Sequence, residues 1–149
     1  MVGKRVLLRL LVAACLGVAG AAVAASPASA AGVPVCTDWK QSGAIKVPVS
    51  SSGDSYCWMQ RGHRTRGVWM LQYSINMCYG AYLQSIHFPY TVSQDSDFGP
   101  ITEAALREVQ KLEDSRYPGV NVVADGIYGY VTAHVMFHST GKDYNCYRL

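Results

Sequence analysis

Apolar positions along this chain pass from a continuous run, to alternation, to helical spacing. Residues 6–25 are almost wholly apolar and alanine-rich. Residues 44–49, Ala-Ile-Lys-Val-Pro-Val, alternate with a period of two, and Pro48 makes the predicted strand an edge strand. Ser50–Ser55 carries turn chemistry, and Tyr56–Met59 predicts a second short strand, so residues 31–65 read as a loop-rich segment holding a hairpin. From Gly67 the period lengthens. Val68, Leu71, Ile75, Cys78 and Tyr82 follow at steps of three and four, which predicts a helix over 67–79 ending near Gly80. Gly99 and Pro100 mark the next start, with proline at the first helical position and Asp97 and Glu103 placing negative charge near the positive end of the helix dipole. Ile101, Ala105, Val109 and Leu112 give that helix an apolar stripe over 100–113, with Phe98 tucked beneath it. Val131, Val135 and His138 predict a third helix over 130–138. Helices this short are marginal alone in water and must pack on one another.

One turn is written twice. Asp-Ser-Asp-Phe-Gly-Pro-Ile-Thr at 95–102 aligns with Asp-Gly-Ile-Tyr-Gly-Tyr-Val-Thr at 125–132. Asp95 falls on Asp125, Phe98 on Tyr128, Gly99 on Gly129, Ile101 on Val131 and Thr102 on Thr132. Aspartates so placed are expected to accept hydrogen bonds from nearby amides or from the threonine hydroxyls.

The N-terminus changes the arithmetic. Lys4, Arg5 and Arg9 precede the apolar run, and Ala28-Ser29-Ala30 is a small-x-small cleavage signal, so residues 1–30 read as a signal peptide. The run is marginally long enough to span a bilayer, and Val12-Ala13-Ala14-Cys15 is similar to a lipobox. The cleavage triplet favours an excised leader, and the apolar run past Cys15 speaks against lipidation. Taking 30 residues from 149 leaves 119, the size of a single domain. Three of the 13 basic residues leave with the leader, so ten face the 10 acidic ones and the mature chain is formally neutral. That offers no electrostatic case for nucleic acid or an anionic membrane as partner.

Of five cysteines, Cys36, Cys57, Cys78 and Cys146 remain, an even number that reads as two disulfides in an exported small domain. Three pairings exist; Cys36–Cys57 with Cys78–Cys146 is favoured because each bridge then ties down a terminal segment. In the chain-entropy account such bridges contribute about 3 and about 4 kcal/mol. With no C-x-x-C pair, a zinc site is disfavoured. His134 and His138 stand four apart, but no glutamate follows His134 and no third ligand is evident. There is no G-x-S-x-G, and Glu103, Glu108 and Glu113, five apart, fan around their helix as a solvated face. No catalytic residue, metal or cofactor is expected. All ten tyrosines lie after residue 31, and several fall in the predicted loops; a flat apolar ring with a polar edge suits a sugar ring.

Three blocks then carry a resemblance: Val68–Asn76, Asp95–Lys111 and Asp125–Met136. In this order and spacing they resemble the peptidoglycan-binding domain type 1 family, over about residues 66–139. Ser96 stands where that family has glycine, Val109 where it has phenylalanine, and Tyr130 where it has proline. The resemblance implies a mainly α fold, a three-helix bundle over 66–149 with a disulfide-linked tail, preceded by a short disulfide-tied hairpin segment at 31–65. It implies a non-catalytic, monomeric peptidoglycan-binding module of an exported bacterial protein, secreted and associated with the cell wall. The candidate ligand-binding residues are Gln72, Tyr79, Tyr82, Tyr90, Asp95, Asp97, Phe98, Asp125, Tyr128 and Tyr130, set along a groove between the first helix and the two repeated loops. The rivals are a cell-wall hydrolase or peptidase, for which 31–66 is too short, and a protein-interaction or inhibitor module without glycan binding.

Overall fold

The computed structural model describes residues 32–142 and 145–149, so the leader and the lipobox lie outside the described residues. Strands β1 (Asp38–Ser42) and β2 (Ile45–Val49) form an antiparallel hairpin. Helices α1 (Arg66–Ser85), α2 (Pro100–Arg116) and α3 (Tyr130–Val135) follow, then the short strands β3 (His138–Ser139) and β4 (Cys146–Tyr147), paired antiparallel.

This corrects the expectation of a mainly α three-helix bundle whose strands are confined to an N-terminal hairpin. Among the described residues there are two long helices and one of only six residues, and a second small sheet closes the C-terminal end. α3 stops early because Met136 swings to an extended backbone, ψ 155°, which carries the chain into β3 instead of another helical turn. His138 therefore sits on a strand, and the four-residue histidine spacing never lies on one helix face. The hairpin also differs from the expected pairing. Residues 45–49 pair with 38–42 across a two-residue loop in which Gly43 takes φ 57°, while Trp58 and Met59 make isolated bridges to Val35 and Tyr128.

Gly80 does not end α1. The helix runs on to Ser85, and the terminator is His87 at φ 56°. His87 N–H donates to Gln84 O and Phe88 N–H to Leu83 O, the paired bonds of a Schellman ending. At the other end the Thr65 hydroxyl accepts from Val68 N–H (3.2 Å) and donates to Cys36 O (2.8 Å), so one side chain caps the helix and ties it to the first disulfide. Gly67 is needed there, since a Cβ would stand 2.7 Å from the Cys36 carbonyl oxygen. Both disulfides, Cys36–Cys57 and Cys78–Cys146, are present in the favoured pairing.

One core joins the two segments that the sequence divides at 65. Met59 packs with Val68, Leu71 and Ile75 of α1, Leu106 and Val109 of α2, and Phe98 and Tyr128 from the two bends. Each fully buried side chain of this size contributes about 1.5–3 kcal/mol. Residues 59–65 are stitched to both bends. Met59 and Tyr128 exchange backbone hydrogen bonds (2.8 Å each), while Phe98 N–H donates to His63 O (2.9 Å) and Gly62 N–H to Phe98 O (3.0 Å). A second apolar cluster, Ile45, Val47 and Val49 with Leu149, lines the inner face of the hairpin.

Glu113 and His138 are among the polar side chains buried in this frame. Glu113, expected on a solvated face, is wholly buried and accepts from the Tyr79 hydroxyl, Arg116 and Arg148. His138 is also buried, with Nε2 2.8 Å from Ala133 O and Nδ1 without a partner among the described residues. Burial pushes its pKa down from 6.5 to about 4, with the Ala133 hydrogen bond opposing the shift and the neighbouring His134 adding to it. The folded state thus holds this imidazole neutral while the unfolded chain takes up a proton below pH 6.5. Its stabilising contribution is complete above that pH and is lost as pH falls towards about 4. Between pH 7 and pH 5 this group is expected to remove about 2 kcal/mol. Urea titrations at the two pH values check it, with His138→Gln as the comparison. An equal pH dependence in both proteins would refute the assignment.

Candidate functional site

The two bends have one architecture, set by a glutamine from the helix before each. Gln72 Nε2 donates to Asp95 Oδ1 (2.8 Å), Asp97 O (2.9 Å) and Thr102 Oγ1 (3.1 Å), and its Oε1 accepts from the Asp95 and Ser96 amides (3.1 Å each). Gln110 Nε2 donates to Asp125 Oδ1 (3.1 Å), Ile127 O (2.9 Å) and Thr132 Oγ1 (3.1 Å), and its Oε1 accepts from Gly126 N–H (2.8 Å). Each aspartate also accepts from the amide two residues on, Asp97 and Ile127. These bonds, the Asp97 amide first and Gln72 second, hold the Asp95 carboxyl below the usual carboxylate range.

The bends diverge at one position. Ser96 and Gly126 share a left-handed backbone, φ 65° and 74°. Gly126 is packed so closely on α2 that a Cβ would stand 2.7 Å from Glu103 Cγ. Ser96 instead faces a surface cleft of about 320 Å³ lined with Trp39, Arg66 and Trp69. A non-glycine residue in this backbone region costs about 1–2 kcal/mol, and such cost collects where a surface is used.

The cleft's aromatic walls follow from the fold. Trp39 lies opposite Pro48 in the hairpin register, away from the inner apolar face. Lys46 Nζ is 5.0 Å and the Arg66 guanidinium 6.0 Å from its ring centroid. Trp69, in the first turn of α1, stacks on Tyr73 one turn later, centroids 5.5 Å apart and planes 8° from parallel. Beyond Ser96 a smaller cleft of about 230 Å³ is lined by Ser93, Asp95, Asp97 and Thr102. Asp97 is paired there with Arg64 at 2.8 Å.

No protein-family model, curated protein or solved structure matches the chain. The site must therefore be judged on its own residues. Gln72, Tyr79, Phe98 and Tyr128 are buried: Gln72 holds the first bend and the three rings pack in the core. Asp95 and Asp97 line the smaller cleft, while Asp125 closes the second bend. Tyr82 packs half-buried against the core. Tyr90 stands by the far end of α1, edge-on to Phe88 at 5.6 Å. Tyr130 lies against Tyr56 (5.4 Å) and His134 (4.0 Å). The ten candidates do not form one groove. The indoles of Trp39 and Trp69 were missed; the available signal was a tryptophan directly after the helix start and another in a strand carrying Lys40, outside any apolar stripe. Among the described residues no group of three or more histidine, cysteine, aspartate or glutamate side chains is placed to hold a metal ion.

Proposed function

We propose that the protein is a non-catalytic module that binds cell-wall glycan at the cleft between Trp39 and Trp69. The carrying observation is the convergence of two half-buried indoles, a guanidinium and the left-handed Ser96 on one open surface. Sugar rings have apolar C–H faces that stack on indoles, and Arg66 can serve the carboxylates that cell-wall peptides carry. Such a site is weak singly, and repeated sites along a polymer raise its retention. The two disulfides fit an oxidising, extracellular compartment, and no helix among the described residues is long and apolar enough to cross a membrane. Secretion and association with the cell wall belong to the same proposal.

The test is co-sedimentation with insoluble peptidoglycan. Wild-type protein should pellet, and Trp69→Ala and Trp39→Ala should each weaken retention about tenfold, the loss of one stacked ring. Circular dichroism would check that both variants fold. Wild-type protein left in the supernatant beside a known binder that pellets would end the reading. A protein-interaction module is a second reading, favoured by the exposed apolar side chains Tyr117, Val120 and Val123; it makes no use of the indoles.

A further inference from the structure

Apart from the indole cleft and its acidic neighbour, a further cleft of about 320 Å³ lies between the C-terminal half of α1 and residues 88–92. Its lining includes Asn76, Gly80, Gln84, Tyr90 and Thr91, with no charged side chain. Gly80 is the unexpected member. Glycine inside a helix costs about 1 kcal/mol relative to alanine. No packing reason appears here, since a Cβ at Gly80 would meet nothing within 4 Å. The glycine leaves the cleft floor open. Asn76 Nδ2 donates to Val92 O (2.8 Å), and neither its Oδ1, the Gln84 amide nor the Thr91 hydroxyl has a protein partner among the described residues. Tyr90, 57% exposed, presents a ring beside them.

The two clefts share a wall. Trp69, Tyr73, Asn76, Gly80 and Gln84 follow one another at steps of four, three, four and four, one stripe of α1. At ~1.5 Å per residue the stripe is ~22 Å long. The chain from 88 to 96 returns beside it, held by Asn76 at Val92 and by Gln72 at Asp95 and Ser96. An indole platform thus stands at one end of the track and an amide-lined, neutral cleft at the other.

We propose that this neutral cleft is a second subsite, taking the acetamido group of an uncharged N-acetylated sugar within a linear glycan that also lies on the indoles. The inference rests on the glycan-binding reading and extends it. Asn76 and Gln84 each offer the donor–acceptor pair that a secondary amide complements. A peptide stem rich in carboxylates finds no cation among the lining residues, whereas a neutral sugar leaves no charge unpaired.

The experiment titrates a β-1,4-linked N-acetylglucosamine tetramer, the corresponding dimer and a soluble stem peptide into wild-type protein, Gly80→Leu, Gly80→Ala and Trp69→Ala. Affinity is measured alongside NMR signals of the Asn76 and Gln84 side-chain amides, with sacculus co-sedimentation in parallel. Leucine fills the cleft floor while favouring the helix, and alanine leaves the cleft open. The tetramer should shift both amide signals. Gly80→Leu should weaken the tetramer about tenfold and leave the dimer, which reaches only the indoles, unchanged, while Gly80→Ala behaves as wild type. If Trp69→Ala loses the tetramer but Gly80→Leu binds it normally, the second subsite is overturned and the indole reading stands. If the amide signals respond to the stem peptide and not to the tetramer, the sugar assignment is wrong. Shifted amides without sacculus retention would support the subsite and overturn the polymer reading. No response in any arm overturns both.

Discussion

Glu113→Ala is expected to lower the free energy of unfolding by about 3 kcal/mol, at the lower end of the cost of breaking a buried ion pair. The carboxylate is fully buried and takes three donors: the Tyr79 hydroxyl at 3.0 Å, Arg116 at 2.8 Å and Arg148 at 2.8 Å. Arg116 and Arg148 remain 45% and 27% exposed, so water can take back much of what they lose. Tyr79 cannot be resolvated in this way. Its hydroxyl is buried, accepts from Phe137 N–H at 2.6 Å, and would keep a proton with no acceptor. Burial, ahead of every other influence, pushes its pKa well up, so it stays a donor at any working pH. Arg148 adds the link to the tail, since Nε donates to Val135 O (2.6 Å) and its guanidinium lies 3.7 Å from the Phe137 ring centroid. Loss of Glu113 therefore loosens the junction of α1, α2 and the C-terminal strand together. The midpoint temperature should fall by roughly 10 °C. Glu113→Gln, which keeps an acceptor for Tyr79, should cost about half as much. Thermal and urea denaturation measure both, and a change under about 1 kcal/mol for the alanine variant would mean that the network is not the anchor described.

Periodicity located the helices better than it oriented them. The α1 stripe Val68, Leu71 and Ile75 is buried as its spacing required. On α2, however, Ile101 faces out, and Thr102, Leu106, Gln110 and Glu113 share the buried side with Ala105 and Val109. A stripe drawn only through apolar residues misses a face that includes a satisfied threonine, glutamine and glutamate. The same error recurs on α3, where Val131 is exposed and Thr132 buried. The α1 ending was misplaced for a different reason. Glycine is a frequent helix stop, but nothing in the backbone stops at Gly80, while His87 takes the left-handed position that glycine more often fills. The hairpin partner was misassigned because two strand-like stretches flank Ile45–Val49, and only the tight loop at Gly43 distinguishes the nearer one.

The candidate site was legible in its frame and hidden in its surface. The doubled Asp…Gly…Thr pattern names both bends, and the structure gives them matching hydrogen bonds. Which ring would be exposed was not written in the pattern. Phe98 and Tyr128 occupy the aromatic position of each bend and both are buried, because the backbone pairing with residues 59–65 draws them inward. The indoles that line the open cleft arrive from β1 and from the first turn of α1, which only the tertiary fold brings to Ser96.

Gln72→Ala is expected to cost about 3–4 kcal/mol, and Gln110→Ala nearly as much, since each net hydrogen bond is worth about 1 kcal/mol and buried partners are left unpaired. Gln72 has five polar partners and Gln110 four, the two Nε2 hydrogens of each being shared among three acceptors. Similar losses of stability should carry different losses of function. Gln72 holds the Ser96 amide at 3.1 Å and so fixes the left-handed residue between the indole and acid clefts. Gln110 holds the Gly126 amide, which faces α2 and no open surface. At a temperature where both variants remain folded, Gln72→Ala should weaken retention on insoluble peptidoglycan about tenfold, while Gln110→Ala pellets as wild type does. Denaturation curves establish the matched stability and co-sedimentation reads the split. Equal retention by the two variants would show that the first bend supports the fold without shaping the indole cleft, and the divergence at Ser96 and Gly126 would then have no functional consequence.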